Sequence, residues 1–162
     1  MFRRFHSSVK SWVSKEGGPS TVVLGANGSG KTTLVNQLFS TSPVPSALVS
    51  FDSSLQFLKQ KGHLSVGECC GGINSAGARA IVVRFGLMHC WMRKVEFLSS
   101  GELRKLILAV AVARGPSMLF LDGAHDGLDY ISRKKLTLLL NALAKGFPPL
   151  LVSLGGNGTL LV

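Results

Sequence analysis

Residues 25–32 read Gly-Ala-Asn-Gly-Ser-Gly-Lys-Thr and fill the spacing GxxxxGK[ST] in full. Those residue types at that spacing suit one chemistry, the holding of a nucleotide's polyphosphate. Gly25, Gly28 and Gly30 permit backbone angles that turn amide N–H groups inward around a phosphate, with Ala26, Asn27 and Ser29 completing the loop. Lys31 adds a point charge for the β and γ phosphates, and the Thr32 hydroxyl is placed to bind Mg²⁺. Thr33 opens a helix whose positive end faces the anion. The second half of such a site is an apolar strand ending in an acid that orients the metal, and residues 118–122, Met-Leu-Phe-Leu-Asp, fit it with Asp122. A glycine turn that precedes Lys-Thr by chance is the bland alternative. The apolar strand directly before the loop and the helix directly after it weigh against that.

Positioning those groups requires strands that deliver the loop and the acid to one edge. Residues 21–24 are a short, mostly β-branched run, a buried strand by type. Residues 31–39 carry Leu34, Val35 and Leu38 at helical spacing, and residues 40–46, with Pro43 and Pro45, read as a loop. A second strand is expected over 47–51. Residues 62–80 are glycine-rich with little pattern, and 80–84 fits either a strand or the start of a helix. An amphipathic helix is expected over 101–114, stopped by Gly115-Pro116, and another over 132–145, closed by Gly146 and Pro148-Pro149. Strands at 118–121 and 150–154 complete the alternation. Strands alternating with helices give an α/β fold, a mainly parallel sheet flanked by helices. Residues 21–162 are expected to form the domain, and residues 1–20 a basic N-terminal segment.

Net charge is +10, from 18 Lys+Arg against 8 Asp+Glu, which favours phosphate-bearing ligands or anionic surfaces. Nucleic acid is not the expected partner. A hydrophobic share of 46% excludes disorder. The longest apolar run, residues 106–113, is far short of the roughly 18 residues of a membrane span. Cys69, Cys70 and Cys90 are odd in number and lack CxxC spacing, so they give neither a disulfide framework nor a zinc site, and a reducing compartment fits. The first 15 residues contain no acid but carry Arg3, Arg4, Lys10, Lys15 and four serines. That composition suits a mitochondrial transit segment or an ordinary basic strand or arm, so the expected location is cytoplasmic or mitochondrial.

Residues 98–102, Leu-Ser-Ser-Gly-Glu, stand before a helix and 20 residues before Asp122. Here the chain resembles the ABC ATPases, a P-loop NTPase family whose signature is LSGGQ. Ser100 replaces the first glycine and Glu102 the glutamine. Asp126-Gly127-Leu128-Asp129 resembles that family's D-loop, with Asp129 as its acid. The resemblance covers roughly residues 20–154, and residues 93–143 look closest to the soluble ABC proteins of molybdenum transport and photorepair. It implies ATP and Mg²⁺ as ligands, with residues 25–33 on the nucleotide and Thr32 and Asp122 on the metal. It also implies a partner, a second ABC-type nucleotide-binding domain in a homo- or heterodimer. Ser99, Ser100, Gly101 and Glu102 of one domain would then cap the nucleotide held by the other. Ser99 with Glu102 also suits a plain helix cap, and the two roles are compatible. No transmembrane segment is expected in this chain.

The departures concern chemistry. The family places an acid after the Asp122 position to polarise the attacking water, and here Gly123 stands there. It places a histidine after the last strand, and here Leu154 stands there, unable to donate or accept a hydrogen bond. The usual glutamine after the second strand has no clear match, because Asp52 follows that strand and Gln56 is the nearest glutamine. Lys31 and Ser99 are 68 residues apart, which implies a reduced helical subdomain in a truncated, degenerate member. Trp12 could stack on adenine or serve only as an anchor. His125 could move a proton near the site or simply pack. The run Arg133-Lys134-Lys135 reads as a solvated face.

The resulting expectation is an ABC-type ATP-binding domain with impaired hydrolysis. A non-catalytic regulatory module and a truncated product are the alternatives. Restoring Gly123→Glu and Leu154→His is expected to raise turnover.

Overall fold

The computed structural model describes residues 10–13, 21–26, 28–72, 76–144 and 150–155. Five strands form one sheet: β1 (Lys10–Val13), β2 (Thr21–Gly25), β3 (Ser46–Val49), β4 (Met118–Leu121) and β5 (Leu150–Gly155), in the spatial order β1-β2-β5-β4-β3. β1 runs antiparallel to β2, Lys10 opposite Leu24 and Val13 opposite Thr21. The other neighbours are parallel. β2, β4 and β5 are adjacent in the sheet and point the same way. The loop after β2 and Asp122 after β4 therefore emerge at one carboxyl edge, where open α/β sheets bind ligands.

Period-2 alternation sends successive residues to opposite faces of the sheet. Val23 and Phe120 face α1 (Lys31–Ser40), where they meet Val35, Leu34, Leu38 and Phe39. Phe39 packs edge-on against Phe120, ring centres 5.6 Å apart. Val49, Leu119, Leu121 and Val152 face the larger core with α5 (Ser100–Ala113) and α6 (Tyr130–Ala144). α5 buries every residue from Leu106 to Val112, so it is less amphipathic than its sequence suggests. A helix apolar all round is an interior helix. α5 lies against α6, the sheet and the helical subdomain at once.

That subdomain holds α2 (Phe51–Lys61), α3 (Val66–Cys69), α4 (Ala76–Arg84) and two 3-10 turns, Met88–Cys90 and Val95–Phe97. Trp91 fills its centre under Gly67, where an added Cβ would lie 2.8 Å from the indole ring. The three cysteines are free and buried, and burial pushes their thiols up, to about 11 for Cys70 and Cys90.

Two boundary expectations are corrected. The second strand ends at Val49 rather than at residue 51, because a capping box starts α2 there. The Ser50 hydroxyl accepts from Ser53 N–H at 3.1 Å, and the Ser53 hydroxyl accepts from Ser50 N–H at 2.8 Å. Asp52 therefore opens a helix, and Gln56 lies within it. Residues 80–84 are the end of α4, with Ala78 and Val82 buried one turn apart.

In the basic lead-in, residues 10–13 form a strand. The transit-segment reading turns on residues outside the described ones, and so does any role for Asn27. The Trp12 and Leu154 contacts turn on side chains outside the described ones. No helix among the described residues is long and apolar enough to cross a membrane.

Candidate functional site: a phosphate-type cleft at the sheet edge

The loop after β2 is a tight turn, with Ser29 N–H donating to Ala26 O at 3.2 Å. Gly28 and Gly30 have φ of 79° and 84°, the left-handed region that suits residues without a Cβ. Gly30 is the N-cap of α1 and offers no side chain to its free N–H groups. α2, α3 and α5 close their own entrances with capping boxes, Ser50 with Ser53, Ser65 with Glu68, and Ser99 with Glu102. The entrance of α1 has no such box, and uncapped N–H groups of that kind suit an anion. Lys31 Nζ folds back onto Ala26 O at 2.6 Å, over the same loop. Ser29 Oγ is buried and makes no hydrogen bond among the described residues.

A cleft of about 370 Å³ opens in front of this loop. Gly28, Gly30, Lys31, Thr32 and Thr33 line one wall, and Asp122, Gly123, Asp126 and Ser153 the other. Asp122 is buried, and its Oδ1 accepts from the Ser153 hydroxyl at 2.5 Å. Ser153 Oγ in turn accepts from Gly123 N–H at 3.0 Å. Ser153 is wholly buried, so it fixes the Asp122 carboxylate against the end of β5. Thr32 and Asp122 offer the hard oxygen donors that Mg²⁺ takes, on facing walls of one cleft. The left-handed glycines and the uncapped helix suit a polyphosphate beside it.

The second cluster lies elsewhere. Ser99, Ser100, Gly101 and Glu102 start α5, and none of them lines the cleft. Ser99 N–H donates to Glu102 Oε2 at 2.9 Å, and Glu102 N–H to Ser99 Oγ at 3.3 Å. Glu102 Oε1 also lies 2.9 Å from His89 Nε2 and accepts from the Cys90 thiol at 3.2 Å. Partial burial pushes the Glu102 carboxyl up, but the Ser99 N–H, His89, Cys90 and the Ser99 hydroxyl outweigh it and hold it at about 2. Gly101 packs against Ser132, whose hydroxyl bonds to Asp129 Oδ2 at 2.6 Å. Residues 99–102 and Asp129 therefore form one connected surface.

The family description "ABC transporter" matches residues 13–125, more than half of the chain. The chain belongs to the ABC transporter family. It is an ABC-type ATP-binding domain. It is 30% identical over 141 residues to the aliphatic sulfonates import ATP-binding protein SsuB 1 of Pseudomonas fluorescens, covering 82% of this chain and 54% of that one. It is 29% identical over 136 residues to the zinc import ATP-binding protein ZnuC of Marinobacter nauticus, covering 78% and 53%. The chain spans about half the length of these curated relatives. Among solved structures, its fold is similar to an inward-facing metal-chelate type ABC transporter, with TM-score 0.61, 20% identity, and 81% and 60% of the two chains covered. It is also similar to RNase-L Inhibitor, with TM-score 0.60, 21% identity, and 94% and 34% covered.

Two residues of the ABC cleft were not singled out from sequence as lining it, Ser153 and Asp126. Ser153 carried no local signal, since its partner lies 31 positions away. Arg104 likewise carries no local sequence signal. It is buried in α5, and its guanidinium donates to Ser50 O at 3.0 Å, Ser54 Oγ at 3.2 Å and Asp126 O at 3.4 Å. It ties the entrance of α2 to the turn beside the cleft.

His125 is not in the ABC cleft. It is buried, and its Nε2 lies 3.1 Å from Thr137 Oγ1, so it packs rather than moves a proton at the site. Burial and Arg133 hold its imidazole below the usual 6.5, with Arg104 adding to them and Asp126 opposing. The unfolded chain therefore takes up a proton near pH 6.5 that the folded domain refuses until lower pH. Stability is expected to fall as pH drops below about 6.5. The Glu102 carboxylate contributes its loss only in stronger acid, as pH falls from the carboxylate range toward 2. Melting temperatures measured between pH 7.5 and 5 should decline for the native chain and decline less for His125→Gln.

The expectation that Gly123→Glu raises turnover meets a strained backbone at that position. Gly123 has φ 59°, and a Cβ there would run into Asp126 Oδ2 and lie 2.9 Å from Asp126 Cγ. Glutamate at 123 is expected to lower the unfolding free energy by about 1–3 kcal/mol and to leave turnover no higher. Thermal melting and phosphate release on the same variant check both.

Proposed function

We propose that this domain binds Mg·ATP through residues 25–33 and pairs with a second ABC-type nucleotide-binding domain, with slow hydrolysis at its own cleft. The observation that carries the reading is the single cleft that joins the uncapped entrance of α1, Lys31 and Thr32 to the buried Asp122. In this reading Thr32 and Asp122 hold Mg²⁺, which neutralises charge on the phosphates when bound. Lys31 swings from Ala26 O to the β and γ phosphates, and Ser153 keeps the Asp122 carboxylate aimed. Gly123 and Leu154 supply neither the usual acid nor the usual histidine, which slows turnover.

Pairing draws support from the surface around residues 99–102 and Asp129. These residues lie outside the chain's own cleft, as groups that serve a partner's nucleotide would. Exposed apolar side chains flank them: Phe97 at 68% exposure, Tyr130 at 80% and Ile131 at 63%. Exposed apolar clusters of that kind mark association surfaces. The domain is taken as residues 21–162, to which the lead-in of residues 1–20 adds the edge strand β1.

Sedimentation of the purified chain with and without Mg·ATP tests this directly. A nucleotide-dependent dimer, or a heterodimer with a competent ABC domain, supports pairing through this face. Tight ATP binding by a chain that stays monomeric alone and beside such a domain contradicts it.

A further inference from the structure

The acid missing after Asp122 has a structural counterpart three residues on. We propose that Asp126 supplies the carboxylate that Gly123 lacks, and that the slow ATP hydrolysis of this domain runs through it. The inference rests on the nucleotide-site reading above and deepens it.

The turn after β4 is what makes this geometry. Gly123 adopts φ 59°, and Asp126 N–H donates to Gly123 O at 2.9 Å, so the chain folds back on itself within four residues. The Asp126 side chain then lies over the α-carbon of Gly123. A Cβ built at 123 would collide with Asp126 Oδ2 and come within 3.6 Å of Asp126 Cβ. A side chain at 123 would therefore force the Asp126 carboxylate to turn away from its present position.

The turn is held from outside as well as from within. Arg104 donates to Asp126 O, and Ser153 Oγ accepts from Gly123 N–H, so both ends of the turn are tied to buried side chains. Asp126 lines the cleft with Lys31, Thr32 and Asp122, and its charge also acts on the buried Arg104 and on His125. Asp122 is engaged by Ser153, and His125 is turned into the core on Thr137. Among the described residues lining the cleft, Asp126 is the exposed acid.

The step balances with water as the only co-reactant. A water oxygen attacks the γ phosphorus as Asp126 takes one of its protons. The bond from that phosphorus to the β,γ-bridging oxygen breaks, and the oxygen leaves with the electron pair as part of ADP. The proton passes from Asp126 to solvent as phosphate departs, and nothing is oxidised or reduced.

The test compares the native chain with Asp126→Asn, Asp126→Glu and Lys31→Ala, following ATP binding and phosphate release in the same Mg·ATP samples. Asp126→Asn is expected to bind ATP within about twofold of the native chain and to release phosphate about 10²–10⁴-fold more slowly. Asp126→Glu should keep a measurable part of the native rate. A native rate retained in Asp126→Asn overturns the proposal, and so does a native chain that binds ATP but releases no phosphate. Either result leaves the nucleotide site standing. A native chain that binds no more ATP than Lys31→Ala fails the underlying reading instead, and the proposal with it.

A second readout needs no turnover. Gly123→Ala should cost more stability in the native background than beside Asp126→Gly, because the trimmed partner removes the collision. Equal costs in both backgrounds would show that the two side chains do not compete for one space, and would overturn the proposal.

Discussion

Replacing Lys31 with alanine is expected to weaken Mg·ATP binding by about 10–100-fold. A charge-assisted hydrogen bond contributes roughly 1.5–3 kcal/mol, and each 1.4 kcal/mol is tenfold in affinity. The loss should concentrate on the triphosphate tail, so the affinity gap between ATP and AMP is expected to narrow. The fold should change little, because Lys31 sits in the first turn of α1 at the mouth of the cleft and is not part of the buried core. Its bond to Ala26 O is local to the loop. Calorimetric titration of both proteins with Mg·ATP checks the affinity, and their melting curves without nucleotide check the fold. Equal affinities would remove Lys31 from the site.

The second large effect is in the core beneath the site. Phe120→Ala is expected to lower the unfolding free energy by about 3–5 kcal/mol, against a total of about 5–15 kcal/mol for an ordinary domain. Phe120 is 1% exposed and fills the space between the sheet and α1, with Phe39, Val23 and Val35 around it. Truncation leaves a cavity between the two elements that carry the cleft, since β4 delivers Asp122 and α1 delivers Lys31 and Thr32. For a chain of this size the midpoint should fall by about 10 °C. Nucleotide affinity should fall as well, through the loosened spacing of the two walls. A variant that melts within 2 °C of the native protein, roughly a 1 kcal/mol effect or less, would contradict this account of the α1 face.

The parts of the fold that could be read from sequence are those where local signal and burial agree. β4 is apolar at every position because both faces are covered, and Asp122 stops it at the sheet edge. The loop at 25–32 is legible because its glycines are needed for local geometry. β3 was overextended because Phe51 looks like more of an apolar strand, while the serine pair Ser50 and Ser53 had already begun a helix. Residues 62–80 were opaque for a different reason. α3 has only four residues, and its burial comes from Trp91 and Val95, far along the chain. The β-branched run Ile81-Val82-Val83 pulled residues 80–84 toward a strand, and burial of Ala78 and Val82 on one face decided for a helix.

At the site, residues 25–33 and Asp122 announced themselves by type and spacing. Ser153 and Asp126 did not. Ser153 acts through a bond to a distant strand, and Asp126 through a turn whose sense depends on one left-handed glycine. The apparent loss of an acid at Gly123 is legible as a string of letters, whereas its replacement is legible only in three dimensions.

The most direct measurement is the melting of the native chain with and without Mg·ATP. Saturation to 100 times the dissociation constant stabilises a folded protein by about 2.7 kcal/mol, which here corresponds to a midpoint raised by about 5–10 °C. The account predicts that rise for the native chain and a much smaller one for Lys31→Ala at the same ATP concentration. Superimposable curves for the native chain with and without Mg·ATP would contradict it.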